Sequence, residues 1–334
     1  MGTMGTRCDR RGPMGGRAAR RAALVALLLM AWTLGSTLGT TPGGSAARAL
    51  PVLQLERARA GYVPTLDGSE PIFILALGSD ARPGEEIDGQ RADSIHLIAI
   101  NPAKHRATIV GFPRDAWVAI PGYGTNKINA AMTAGGPDLV VATVESLMGV
   151  TIDYWALTWF DGFRAMIDDI GGLRVDVPFD VVYAYARAEI PAGPQTLSGK
   201  DALAFARARH ALPAGDFGRS ENQGLLLVSA LAQFRAEFAK DPSRLLDWVG
   251  AGLRNMRTDV PLDQLLRLAF TASTLNPRKV TNIVLPGGTG MAGGTSVVNL
   301  DQAALQAIAA DLRDDGLLRK GTIPPSPNAS LLGG

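Results

Sequence analysis

Six charged residues stand in three close pairs: Asp80 with Arg82, Arg91 with Asp93, and Arg114 with Asp115. Each pair sits at the end of an apolar run that reads as a strand. An arginine cluster alone would be costly without an anion, and an aspartate cluster alone would be costly without a cation. A mixture of the two suits a phosphate group with a bound metal. A second constellation lies further along the chain: Arg207, Arg209, Asp216, Arg219 and Gln223. The last three are spaced three and four apart, which places them along one face of a helix at its N-terminal end. That end already favours an anion, and Arg219 adds to it. Arg207 and Arg209 are two apart and would point about 200° from each other on a helix. Both reach one ligand only if the helix ends there, and His210 and Pro213 close behind make room for such a turn. Arginine suits the task because its planar fork holds phosphate oxygens in pairs.

Taken singly, each of these features has an ordinary explanation. An isolated Arg–Asp pair is usually a surface ion pair of little worth. Arg207 and Arg209 could complement a helix C-terminus, Asp216 reads as a helix cap, and Lys127 in the segment Asn126-Lys127-Ile128-Asn129 could be a solvated loop lysine. The weight shifts because several pairs fall at element ends in one chain.

The elements that must position them follow from the apolar pattern. Ile72–Leu77, Ser94–Ile100 and Ala107–Phe112 read as three strands. The Asn101-Pro102 turn links the second and third as an antiparallel pair. If the first two are also antiparallel, the end of strand one, the start of strand two and the end of strand three share one sheet end, and all six charges meet there. Helices are expected at 129–134, at 137–148 with Gly149 as its stop, after an Asp161 cap up to Gly171, and from a Ser198/Asp201 capping box to about Arg207. Asp216 would cap a long helix to about Lys240. Further helices are expected near 243–254, 262–275 and 300–315, and further strands at 154–160, 174–177 and 280–285. The interleaving predicts an α/β fold, a three-layer α/β/α sandwich with a mixed sheet. Its bounds are 71–318, with the charged motifs in 72–235. Residues 48–70 read as a linker and 319–334 as a disordered Pro/Ser/Gly-rich tail.

Composition narrows the class. The chain has 334 residues, of which 46% are hydrophobic and 19% charged, enough for a sizeable core. The formal net charge of +2 argues against a nucleic-acid partner. A single cysteine, Cys8, excludes an internal disulfide and a cysteine zinc cluster. Residues 1–21 are basic and 22–47 carry no charge, with an apolar centre at 22–34. A basic flank before an apolar run is an export signal, either a retained single-pass membrane helix or a cleaved leader. In both cases the remainder lies outside the cytoplasm.

The chain resembles the LytR-CpsA-Psr family. The resemblance is carried by LGSDAR (77–82), RADS (91–94), FPRD (112–115), NKINAA (126–131), the Gly pair 135–136, FDGF (160–163), IGG (170–172) and RAR…GDFGRSENQ (207–223), in family order. It implies an extracytoplasmic phosphotransferase on an N-terminal membrane anchor. Such an enzyme moves a glycopolymer from a polyprenyl-pyrophosphate lipid onto peptidoglycan. It further implies that Asp80 and Asp93 hold Mg²⁺, and that Arg82, Arg91, Arg114, Arg207, Arg209, Arg219 and Gln223 surround the pyrophosphate. Lys127 matches the family's loop lysine, and Asp216 would orient neighbouring arginines. Asp93 and Asp115 are both candidates to accept the proton of the attacking hydroxyl. One departure is Asn222, where family members often carry Arg. A hydrolase of the same lipid, or a non-catalytic binding or regulatory protein, are the competing expectations.

Overall fold

The computed structural model describes residues 70–183, 187–209 and 212–331, together with Met1. The predicted membrane helix at 22–47, nearly all of the linker, and His210 lie outside the described residues. All those from residue 70 onward belong to one compact unit.

The centre is a six-stranded mixed sheet. Its members are β1 (Ile72–Ser79), β2 (Ala92–Asn101), β3 (Arg106–Gly111), β6 (Tyr154–Trp159), β11 (Arg257–Thr258) and β12 (Val280–Val284), in the order β11-β6-β1-β2-β3-β12. β1, β2 and β3 are antiparallel neighbours as expected, with Leu75 opposite Leu97 and Leu97 opposite Val110. β6 runs parallel to β1, and β12 parallel to β3. Four hairpin-like pairs surround the sheet: β4 (Trp117–Ile120) with β5 (Gly124–Lys127), β7 (Leu173–Val177) with β10 (Gly193–Leu197), β8 (Val181–Tyr183) with β9 (Ala188–Ile190), and β13 (Gly287–Ala292) with β14 (Thr295–Leu300).

Seven helices complete the described part: α1 (Ala130–Met148), α2 (Phe160–Asp169), α3 (Gly199–Arg207), α4 (Asp216–Lys240), α5 (Arg244–Asn255), α6 (Leu262–Thr274) and α7 (Gln302–Asp315). α1 and α7 cover one face of the sheet, where Leu75, Leu77, Ile95 and Leu97 pack with Met132, Val144, Leu305 and Leu312. On the other face Ile72, Ile74, Ile98 and Ile100 meet Leu231 of α4 and Leu265 and Leu268 of α6. α2, α3 and α5 with the small hairpins add a lateral cluster around Phe205, Leu173 and Leu226. The three layers follow from strand alternation, since successive side chains leave opposite faces and both faces are apolar.

Several local readings change. The segments 129–134 and 137–148 are helical as expected and are separated by a break within α1 at Gly135-Gly136, where neither glycine is helical and Gly136 has φ +66°. Gly149 stops α1 in the left-handed conformation. Ser198 Oγ caps α3 by accepting from Asp201 N at 3.2 Å. Asp161 and Asp216 are not caps: Trp159 and Gly215 hold those positions, and each aspartate lies inside its helix. The tail is ordered through residue 331. Asn328 is 1% exposed; its side-chain amide donates to the carbonyl of Gly218, and its backbone N–H donates to the Glu221 carboxylate. The physical reason is a specific buried amide contact with α4, which Pro/Ser/Gly composition does not reveal.

Candidate active site

The predicted convergence holds at the sheet end formed by the C-termini of β1 and β3 and the N-terminus of β2. Asp80 follows β1, and its Oδ1 accepts from the backbone N–H of Arg91 at 3.0 Å. Asp93 lies within β2, and its Oδ1 is bound by Arg114 Nη1, from the loop after β3. Arg114 Nε is also 3.9 Å from Asp115 and 3.8 Å from Asp216. Lys127, at the end of β5, pairs with Asp115 at 3.0 Å. Arg219, one turn into α4, pairs with Asp216 at 2.9 Å and donates to the Asp93 carbonyl at 3.5 Å. Side chains from five separate chain segments therefore form one network of mixed charge.

Burial makes the network sensitive to what binds there. Arg219 is 5% exposed, and burial pushes its pKa down while Asp216 holds it up. Arg114 moves the other way, because Asp93, Asp216 and Asp115 outweigh the burial that opposes its charge. Burial, then the neighbouring Asp93, raises the pKa of Asp80. The Nε atoms of Arg114 and Arg219 are buried without a hydrogen-bond partner. Unsatisfied guanidinium donors are costly, and an anionic oxygen would satisfy them. No group of three or more His, Cys, Asp or Glu gathers around a common point among the described residues. Asp80 and Asp93 are near enough for one to raise the pKa of the other, a repulsion that a divalent cation would relieve; one or two carboxylates are a usual protein share for Mg²⁺ on a phosphate.

Beside this cluster a cavity opens between the sheet and α2, α3 and α4. It holds about 1030 Å³ of empty space, counted with its open mouth. Its floor is made of small or polar side chains, Ala76, Gly78, Ser94, Ala156 and Thr158, and its walls of Phe163, Met166, Leu203, Leu226 and Leu227. Asp93, Arg207, Arg219 and Gln223 stand among its lining residues. The reason for the void is local: on this face β1 and β6 carry Ala76, Gly78 and Ala156 where the opposite face carries Leu75, Leu77 and Leu157.

α3 ends at Arg207, as the two-residue spacing of the arginines required. The Arg207 guanidinium lies 4.2 Å from the centre of the Phe160 ring and 5.9 Å from that of Tyr183. Such stacking holds a guanidinium in place without neutralising it. Arg209 is close enough to Arg219 to depress its pKa. Gln223 donates to the Ala206 carbonyl at 3.0 Å, which joins α4 to the end of α3. Arg91 is exposed with its charge beside Asp80. Arg82 is the one sequence-predicted residue not brought in: it is exposed on the loop after β1, and its guanidinium makes no ion pair among the described residues. Phe160, Ser94 and His96 were not singled out from sequence. The FDGF segment held the signal for Phe160, whereas nothing in the spacing marks His96.

Fold and site together define an α/β protein that presents a mixed arginine–aspartate cluster at the mouth of an apolar cavity. The chain belongs to the LytR_cpsA_psr family, whose sequence profile matches residues 52–314. It is 35% identical over 247 residues to the polyisoprenyl-teichoic acid–peptidoglycan teichoic acid transferase TagU of Bacillus mycoides (strain KBAB4), which spans 73% of this chain and 79% of that protein. The crystal structure of B. subtilis TagV superposes with a TM-score of 0.64 at 28% identity, covering 75% of this chain and 99% of that one. The family protein YwtF (TagT) with bound octaprenyl pyrophosphate lipid superposes with a TM-score of 0.60 at 26% identity, covering 77% and 94%.

Proposed function

We propose that this chain transfers a glycopolymer from a polyprenyl-pyrophosphate carrier onto a hydroxyl of peptidoglycan. The observation that carries the reading is the direct opening of an apolar cavity onto the buried Arg219 and the half-buried Arg207. A pyrophosphate lipid is apolar along its chain and anionic at its head, and the site has both halves in that order. The transferase activity of the TagU relative and the lipid held by the TagT structure support it.

The isoprenoid chain lies in the cavity, where each buried CH₂ contributes about 0.8 kcal/mol. Arg114, Arg207, Arg209 and Arg219 surround the pyrophosphate. Asp80 and Asp93 hold Mg²⁺, which supplies further charge neutralisation when bound. The acceptor hydroxyl oxygen forms a bond to the glycan-side phosphorus. The bond from that phosphorus to the bridging oxygen breaks, and polyprenyl phosphate leaves with the bridging oxygen. The hydroxyl proton passes to a carboxylate of the cluster, Asp93 or Asp115. Positioning and charge stabilisation do most of the work in such a transfer. The catalytic domain stands outside the cytoplasm, tethered by the 22–47 segment or released after its cleavage. No helix among the described residues is long and apolar enough to cross a membrane.

The test supplies the purified full-length protein in detergent with a polyprenyl-pyrophosphoryl disaccharide, Mg²⁺ and peptidoglycan. Ligated disaccharide phosphate on the wall is the expected product. Free disaccharide phosphate without ligation would make the protein a hydrolase, and tight lipid binding without turnover would make it a binding protein.

A further inference from the structure

His96 lies in the middle of β2 on the cavity face and is 1% exposed. It is three residues from Asp93 and is neither a predicted ligand nor a member of the charge network. Its Nε2 is 3.0 Å from the backbone carbonyl of Ser220, and its Nδ1 is 3.1 Å from Ser94 Oγ. A carbonyl oxygen can only accept, so Nε2 carries the proton and donates. Burial, with Arg219 nearby, lowers the ring's pKa to about 4, so the ring is neutral at physiological pH. Nδ1 is then the acceptor, and the Ser94 hydroxyl donates to it. Both hydrogen-bonding roles of the ring are fixed by its surroundings.

The position of the acceptor gives the bond its meaning. Ser220 directly follows Arg219, and Ser94 directly follows Asp93. β3 and α4 approach closely here: a Cβ at Gly111, the residue opposite His96 on β3, would collide with Ser220 Oγ and lie 3.2 Å from His96 Nε2. Apart from the 3.5 Å bond of Arg219 to the Asp93 carbonyl, the imidazole is the polar link that crosses this junction next to the two functional side chains.

We propose that His96 is a positioning residue for the transfer reaction, its Nε2–H bond to the Ser220 carbonyl setting the register of the helix that carries Arg219 against the strand that carries Asp93. The proposal rests on the transferase reading for its kinetic readout, and on geometry alone for its spectroscopic one. A misplacement of about 1 Å in such a positioning contact can cost on the order of 100-fold in rate.

Two substitutions separate the two bonds of the ring. His96→Gln places an amide N–H near the Nε2 position and keeps a donor for Ser220. His96→Asn places its amide near the Nδ1 position and keeps only the contact to Ser94. In full-length protein, His96→Gln is expected to keep kcat within about threefold, and His96→Asn to lose about tenfold or more with KM for the lipid donor little changed. A merely structural histidine would instead give losses that follow Tm. Equal kcat for the two variants at equal Tm overturns the proposal. So does a ¹⁵N spectrum showing the wild-type ring protonated at Nδ1 rather than Nε2. The spectrum is read without substrate, so it stands even if wild-type protein fails to ligate and the transferase reading falls.

Discussion

The two faces of the central sheet are built from the same strands and do opposite things. Toward α1 and α7, β1, β2 and β6 present Leu75, Leu77, Ile95, Leu97 and Leu157, each 3% exposed or less. Toward α4, the same stretch presents Ala76, Gly78, Ser94, His96, Ala156 and Thr158. Strand alternation puts both sets at equal depth, so the difference lies wholly in side-chain size. One face closes into a dry, dense core. The other leaves room for a ligand, and only at the end where the charged loops lie; further along, Ile72, Ile74, Ile98 and Ile100 fill the same face. A cavity in this fold is thus written as a run of small residues beside a functional sheet end.

Substitutions on the two faces should break this contrast in different observables. The largest loss of activity is expected at the cavity mouth. Arg207→Ala removes a guanidinium stacked on Phe160 and should reduce transfer by about 100- to 1000-fold, as loss of an oriented charge donor does. Its partial exposure leaves no orphaned ion, so Tm should stay close to wild type. Arg219→Ala is a poorer probe, because it would leave the largely buried Asp216 facing the more distant Arg114, 3.8 Å away. On the packed face, Leu97→Ala should cost about 2–5 kcal/mol of stability in denaturant titrations. It should leave KM of the surviving folded protein unchanged. If it altered lipid affinity as strongly as stability, the faces would not be independent.

A smaller effect is expected from filling the void. Ala156→Leu adds volume on the cavity face and should change stability by less than about 1.5 kcal/mol, because the space is already open. Binding of octaprenyl pyrophosphate should fall by about tenfold or more, the equivalent of two or so displaced CH₂ groups. Unaltered binding would mean that the lipid chain lies elsewhere.

The charged half of the site was legible because it obeys local rules. The apolar runs give the three strands, the Asn101-Pro102 turn gives their direction, and direction brings Asp80, Asp93 and Arg114 to one end. The Ser198 cap and the Gly149 stop are short-range signals of the same kind. Which residues line the cavity was not legible: Ala76 and Ala156 are ordinary strand residues until the packing around them is known. β5 and β13 are rich in Gly, Thr or exposed positions, and β8 and β9 span three residues each, too few to register as strands. Arg82 shows the opposite failure, since its place beside Asp80 in sequence does not carry its guanidinium into the network. Asn328 shows that one buried amide can order a tail whose composition suggests none.

The smallest and most discriminating test concerns pH, because two half-buried carboxyls bound to strand N–H groups and the buried imidazole on the cavity face titrate with opposite effects on stability. Asp153 accepts from Phe73 N at 2.8 Å and Asp259 from Trp155 N at 2.7 Å, and burial raises each to about 6. A carboxyl with a raised folded pKa adds stability that is full below about pH 4 and lost as pH climbs through about 6. His96, lowered to about 4 by burial, adds stability that is present above about pH 6.5 and lost as pH falls toward 4. Between pH 7 and pH 5 the contributions oppose one another. Each pKa unit is worth about 1.4 kcal/mol, and partial solvent screening reduces the carboxyl effects to about 1 kcal/mol each. Asp153→Asn keeps an acceptor for Phe73 N and removes the titration. Relative to wild type, it should lose about 1 kcal/mol more stability on going from pH 7 to pH 5. His96→Gln should shift the same difference the other way, gaining stability on acidification. Differences between each variant and wild type cancel the other titrating groups. If both variants shifted in one direction, the assignment of a neutral imidazole beneath Arg219 would be wrong, and with it the order of protons along Ser94, His96 and Ser220.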